Sequence, residues 1–190
     1  MLHLSQDPAA DQLLTEDPLA LLTGMILDQQ VPLEWAFGAP LLLKQRLGGK
    51  LDAADIADMD PDALVKAFVE RPALHRFPAA NAKRVQQLCR IIVDDYDGKP
   101  ADIWLTASTG DELFRRVKAL PGFGDQKARI FVSLLGKQLG VQPPGWQEAG
   151  GKYGQPGTFM SVADITDSGS LARVRTYKQQ IKAAAKTPAG

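Results

Sequence analysis

Apolar residues recur every three or four positions along most of this chain, the period of helices that pack on one face. Asp17-Pro18 has the form of an N-cap followed by proline at the first helical position, and it opens a helix over residues 19–30. That run is apolar on more than one face, which predicts a central buried helix with a polar end. Pro32 begins the next element, where Trp35, Phe37 and Leu41 to Leu43 supply core contacts until Gly48-Gly49 stops it. Asp60-Pro61 starts a short helix with Leu64, Val65 and Phe68 on one face. The clearest amphipathic segment sets Val85, Leu88, Cys89, Ile92 and Tyr96 on one stripe, so Cys89 reads as core packing. Residues 111–118 form a further helix through Leu113, Phe114 and Val117, and helix resumes after Gly124 with Ala128, Phe131, Leu134 and Leu135 inward. No alternating strand pattern and no tandem repeat is visible. The pattern predicts an all-α fold.

Residues 140–169 interrupt it. Gly140, Pro143-Pro144-Gly145, Gly150-Gly151, Gly154, Pro156-Gly157 and Gly169 allow no long element. A loop of that length in a compact domain is usually functional or disordered. Trp146, Tyr153 and Phe159 within it argue for an ordered, packed loop. Residues 170–186 then form a last helix, with Leu171, Val174, Tyr177 and Ile181 inward, and residues 187–190 are expected to be a flexible tail.

Composition narrows the function classes. With 190 residues, 45% apolar and 23% charged, the chain has the make-up of one globular domain or a compact two-lobed one, not of a disordered or collagen-like protein. One cysteine excludes an internal disulfide framework and any four-thiolate zinc or iron–sulfur site built from this chain alone. His3 and His75, the only histidines, stand far apart, which argues against a histidine-rich metal centre. The first residues lack a basic and apolar leader, and no apolar stretch approaches the ~18 residues that span a bilayer. The expectation is a soluble, cytoplasmic protein with no membrane partner.

The net charge of zero hides a gradient. Residues 1–70 carry twelve acidic and four basic side chains, residues 71–190 ten acidic and eighteen basic. Residues 170–190 hold Arg173, Arg175, Lys178, Lys182 and Lys186 and no acid. Such asymmetry permits an anionic partner, though one-sided charge also describes an ordinary solvated face.

The segment Leu120-Pro121-Gly122-Phe123-Gly124-Asp125-Gln126-Lys127-Ala128 is a tight turn between two amphipathic helices. Its glycines allow positive φ and leave no Cβ to block a ligand. Unpaired N–H groups of the turn and the following helix start would suit a phosphate oxygen. In a generic helix connection the same glycines merely permit the reversal.

Here Leu-Pro-Gly-Phe-Gly, with Lys127-Ala128 behind it, resembles the hairpin of the helix-hairpin-helix–Gly/Pro/Asp (HhH-GPD) DNA glycosylase superfamily. Met25-Ile26-Leu27-Asp28-Gln29-Gln30-Val31 resembles the helix end from which members push a wedge into the DNA stack. Phe77-Pro78 through Ala82-Lys83-Arg84-Val85 resembles the family's basic helix start, and Asp60-Pro61-Asp62-Ala63-Leu64 its preceding short helix. The resemblance implies a two-lobed helical domain over 1–190 with a central cleft, the hairpin motif at 111–139 and the long irregular loop at 140–169 before the last helix. It implies binding of double-stranded DNA, extrusion of a damaged or modified base, and cleavage of its N-glycosidic bond. Pro121, Gly122, Phe123, Gly124 and Lys127 would meet the DNA backbone, and Gln29 and Gln30 would fill the gap. Main-chain carbonyls of Leu120 and Gly122, with Ala119, would hold a monovalent cation (Na+ or K+). No iron–sulfur cluster and no other cofactor is required. The implied state is a monomer, nucleoid-associated in a bacterium.

Two departures qualify the likeness. Members with lyase activity carry lysine two residues after the second hairpin glycine, where this chain has Gln126. Lys127 is its neighbour, turned by about 100° on a helix. The resemblance therefore implies a monofunctional hydrolase using water, with Gln126 free to contact a base edge. The family's catalytic aspartate is missing too: residues 140–146 contain no carboxylate. Glu148 is the nearest substitute and Asp164 the second, though each reads more readily as a solvated surface acid, Asp164 above all. Trp146 either stacks on an extruded base or plugs the core. The rival readings are a non-catalytic DNA-binding or lesion-recognition protein on the same scaffold, and a helical module holding an acidic protein.

Overall fold

The computed structural model describes residues 1–187, and among them every regular element is helical. Six helices build a first lobe: α1 (Pro8–Glu16), α2 (Pro18–Leu27), α3 (Leu33–Arg46), α4 (Ala53–Asp58), α5 (Pro61–Val69) and α6 (Pro78–Tyr96). Asp7, Asp17 and Asp60 each accept first-turn N–H groups, and the proline behind each has no N–H to leave unpaired. The apolar pattern misses α1 and α4, which are short and announced only by their caps at Asp7 and Asp52. Asp11 of α1 is buried and accepts the N–H groups of Leu4 (2.9 Å) and Ser5 (2.7 Å), so the N-terminal strand of chain folds back and seats Leu2 and Leu4 in the core.

Every residue of α2 from Leu19 to Leu27 is buried, as a helix apolar all round requires. It lies among α1, α3 and α6, while α4 and α5 pack on α6. The helix stops at Leu27, short of the expected end. Asp28 caps it, Gln30 takes a left-handed φ of 59°, and Pro32 disfavours helical backbone at Val31. Gln29 and Gln30 thus project from a turn.

The second lobe contains α7 (Asp102–Leu105), α8 (Gly110–Lys118), α9 (Asp125–Gln138), α10 (Trp146–Gly150) and α11 (Ser168–Lys186). One apolar core runs through both lobes, with Phe131 of α9 packed edge-on against Trp104 (5.7 Å) and tilted against Phe123 (5.8 Å). Cys89 is fully buried in that core, and burial pushes its thiol up to about 12.

The loop at 140–169 is ordered around α10 and two short 3-10 turns, Gly151–Gly154 and Val162–Asp164. The Trp146 ring lies flat on Gly136 of α9, where a Cβ would come within 2.2 Å of its Cε3. Trp146 is half-buried against α9 and packs there, outside the cleft wall. Asp164 is locked as well. Its carboxylate accepts Lys137 Nζ at 2.7 Å and the Met160 N–H at 2.8 Å and completes a capping box with Ser161. Glu148 is exposed on α10.

Of the apolar residues of α11 expected inward, Leu171 and Val174 are buried, while Ile181 is 52% exposed. Past Val174 the described residues of the helix are exposed except Tyr177, which is half-buried. From residue 188 onward the expected tail lies outside the described residues. Among the described residues no helix is long and apolar enough to cross a membrane.

If Trp146 is structural, Trp146→Ala should cost about 2 kcal/mol of stability, less than a fully buried aromatic. Gly136→Ala, which drives a methyl into the indole, should cost about 1–3 kcal/mol. Urea unfolding of both variants checks this, and Trp146 fluorescence should shift in the second.

Candidate nucleic-acid interface

Leu120 to Gly124 reverses the chain between α8 and α9. Gly122 takes a left-handed φ of 80°, a backbone that costs other residues about 1–2 kcal/mol. A Cβ there would stand 3.5 Å from Ile26 Cγ1, an ordinary contact, so conformation rather than space demands the glycine. Gly124 differs from expectation: its φ of −83° and ψ of −176° are open to any residue. What its missing side chain leaves is room, because a Cβ at Gly124 would meet nothing within 4 Å. Gly124 is also the N-cap of α9 and offers no side-chain acceptor, so the first-turn N–H groups of α9 face outward for solvent or ligand. Phe123 between the glycines is 5% exposed and belongs to the core; only its backbone is at the surface. Pro121 is half-buried beside it.

The turn opens onto a cleft of about 1300 Å³ between the lobes. One wall is the end of α2 and the following turn, with Met25, Asp28, Gln29 and Gln30. Opposite stand Gly122, Gly124, Asp125, Gln126 and Lys127, and α11 closes a third side with Arg175, Tyr177, Lys178, Gln179, Ile181 and Lys182. An ion pair between Arg175 and Glu34 of α3 fastens α11 there. Gln126 lines the cleft and donates from Nε2 to Tyr153 Oη at 2.9 Å. Lys127 reaches the cleft too, despite its turn around the helix. Its ammonium donates to the Met25 carbonyl at 2.7 Å and approaches that of Ile26 at 3.5 Å. Burial lowers the Lys127 pKa, the Asp28 charge opposes that fall, and Arg84 adds to it.

Asp125, at the first position of α9, would repel a phosphate were it unpaired. Its carboxylate accepts Arg129 Nε at 2.9 Å and lies 3.5 Å from Lys118 Nζ, and these bonds hold its pKa below the ordinary range. Glu148, Asp164 and Trp146 are absent from the cleft wall. Of the two hairpin carbonyls expected to hold a cation, that of Leu120 already accepts the Phe123 N–H at 3.2 Å. With one lone pair left there, Leu120 and Gly122 supply only a partial set of neutral oxygens, to be completed by water or phosphate.

Two residues of this region escape sequence reasoning. Asp28 looks like a helix end in the sequence, yet the fold half-buries it in the cleft wall. Burial pushes its carboxyl above the ordinary 3.8, against the charges of Lys178 and Lys127. His75, buried, sits behind the glutamine turn. Its Nδ1 accepts the Phe77 N–H at 3.0 Å, so Nε2 carries the proton and donates to the Gln29 carbonyl at 3.0 Å. Burial lowers the His75 pKa from its ordinary 6.5, its backbone acceptors oppose the fall, and the charges of Arg84 and Lys127 reinforce it.

Because the folded state excludes the proton that the unfolded chain accepts near 6.5, this site supports stability above that pH. The support should be lost as pH falls from 6.5 toward the depressed folded value. Urea midpoints measured between pH 7.5 and about 5 should fall for the native chain and fall less steeply for His75→Leu across this window. That variant should also be about 1–3 kcal/mol less stable at neutral pH, since it strands buried polar partners.

Comparison with known proteins bears on this geometry. A family model described as HhH-GPD superfamily base excision DNA repair protein matches residues 23–188. No curated protein matches the chain. Among solved structures, a trapped endonuclease III–DNA covalent intermediate, an estranged-adenine complex, is similar at 13% identity, covering 91% of this chain and 94% of that one with a TM-score of 0.46. A match that takes in the α2 end, the hairpin and α11 leaves one conclusion: the chain belongs to the HhH-GPD superfamily of base excision DNA repair proteins.

Proposed function

We propose that this protein binds double-stranded DNA, flips a damaged or modified base into the cleft and hydrolyses its N-glycosidic bond, acting as a monomer. One observation carries the reading: the uncapped start of α9 and the glutamine turn face each other across a single cleft. Backbone N–H groups at a helix start favour phosphate through their partial positive charge and fix a strand without reading sequence. Extruding a base costs a few kcal/mol of stacking and pairing, least for a damaged or mismatched one. Gln29 and Gln30, exposed at the end of a turn pinned by His75, suit insertion into the vacated space. Gln126, held by Tyr153, presents an amide that can hydrogen-bond a base edge.

Water is the attacking group in this reading. Gln126 cannot form a Schiff base, and the Lys127 amine is committed to the carbonyl end of α2. A monovalent cation held by the Leu120 and Gly122 carbonyls would add positive charge beside a bound phosphate. The unpacked part of α11 suits a second contact with the DNA backbone, since its cleft-facing charges are all basic.

Incubation with duplex oligonucleotides carrying uracil, oxidised pyrimidines or alkylated purines should release at least one lesion base and leave an abasic site. Borohydride should trap no protein–DNA adduct. Gly124→Val should cost no more than about 1 kcal/mol of stability, the loss of a glycine N-cap, since a Cβ there meets nothing within 4 Å, and should weaken duplex binding about tenfold, or 1.4 kcal/mol, by blocking the phosphate. Intact DNA across the panel would count against catalysis, and unchanged affinity in Gly124→Val against the hairpin as the grip.

The double variant Lys178→Glu/Lys182→Glu should flatten the dependence of binding on salt. Two phosphate contacts account for about 1.8 in the slope of log affinity against log salt. Fluorescence anisotropy between about 50 and 200 mM salt measures it.

A further inference from the structure

N-glycosidic hydrolysis builds positive charge on the sugar, so an anion beside the sugar accelerates it. Neither acid suggested by the sequence supplies one: Glu148 stands outside the cleft and Asp164 is consumed by Lys137 and its capping box. Among the described residues the cleft wall holds two carboxylates, Asp28 and Asp125. Asp125 is exposed at the outer edge of the hairpin and neutralised by Arg129 and Lys118. Asp28 is half-buried, and no described residue hydrogen-bonds its carboxylate. It immediately precedes Gln29 and Gln30, so a nucleotide displaced by those side chains would leave the stack beside it.

We propose that Asp28 is the catalytic carboxylate of this cleft, facing the deoxyribose of an extruded nucleotide. The assignment rests on the base-excision reading above and names the group that reading lacks. In the step, the bond from C1′ to the base nitrogen breaks and its electron pair leaves with the base. Asp28 stabilises the cationic sugar and takes a proton from water as the water oxygen bonds to C1′. The base nitrogen gains a proton, and the one held by Asp28 returns to solvent, so that water adds across the broken bond. Burial raises the Asp28 pKa, and two cleft lysines oppose that rise and favour the carboxylate. Lys127 of α9 and Lys178 of α11 act on it directly, and Arg84 of α6 and neutral His75 lie around Lys127. Lys127 spends its hydrogen bonds on the α2 carbonyls, leaving the carboxylate oxygens open to substrate.

Two duplexes test this without knowledge of the lesion: one with a neutral tetrahydrofuran in place of a nucleoside, the other with a cationic pyrrolidine that mimics the charge on the sugar. A site complementary to the transition state binds its mimic more tightly. The native chain should prefer the pyrrolidine duplex about tenfold or more at pH 7. Asp28→Asn should lose the preference while keeping its affinity for tetrahydrofuran. In the native chain the preference should also shrink on acidification as the carboxylate takes up a proton, since the amine of the probe stays charged. On any lesion the native chain processes, Asp28→Asn should release base about 10²–10³-fold more slowly. A preference that survives in Asp28→Asn, or a native chain with none, overturns the assignment. Failure to bind either duplex overturns the DNA-binding reading itself, and this assignment with it.

Discussion

The ammonium of Lys127 on the carbonyl end of α2 is the joint on which the cleft depends. Its donors sit 2.7 Å from the Met25 oxygen and 3.5 Å from that of Ile26, across the interface between lobes. A helix leaves its last carbonyls unpaired, and α2 is buried too deeply for water to serve them all. A cation there satisfies those oxygens and meets the negative end of the helix dipole. The bond joins the first turn of α9, just after the hairpin turn, to the last turn of α2, just before the glutamine turn. Fixing one against the other sets the width of the cleft. Apolar packing of Ile26 beneath Gly122 makes the same joint in another currency, and there the glycine matters for its backbone conformation.

Much of this is legible in the sequence because it is local. An apolar run with no polar face must be a buried helix, and 19–27 is one. Aspartate before proline marks a helix start wherever it occurs, including Asp7-Pro8, which is easily passed over because few apolar residues follow. The hairpin is readable from two glycines between amphipathic segments, though only Gly122 uses the freedom that glycine gives. The broken stretch with three aromatics holds α10 and two short 3-10 turns.

What the sequence hides is assembled across distance. Glu148 lies near the hairpin in sequence, but α10 turns it to solvent. Trp146 has the chemistry of a stacking platform, and its fate depends on Gly136, ten residues earlier and on another helix. Asp164 depends on Lys137 in the same way. Asp28, between Leu27 and Gln29, carries no signal beyond a polar residue ending a helix; its burial and its lysine neighbours come from α9 and α11. Pattern gives the elements. Only the meeting of elements gives a pocket.

The last helix shows the same rule from the opposite side. Heptad-like spacing of Leu171, Val174, Tyr177 and Ile181 predicts one buried stripe, yet Tyr177 is only half-buried and Ile181 is exposed. The stripe then turns from core to cleft wall, and Ile181 lies among Lys178 and Lys182 on the side facing Asp28 and the hairpin. A helix in that position without packing is held by its Arg175–Glu34 pair and by its covalent continuity with the buried segment. An exposed ion pair contributes little, about 0–1 kcal/mol, so the distal helix is cheap to displace. To meet a polyanion the helix need only exchange the one Arg175–Glu34 pair for phosphate contacts.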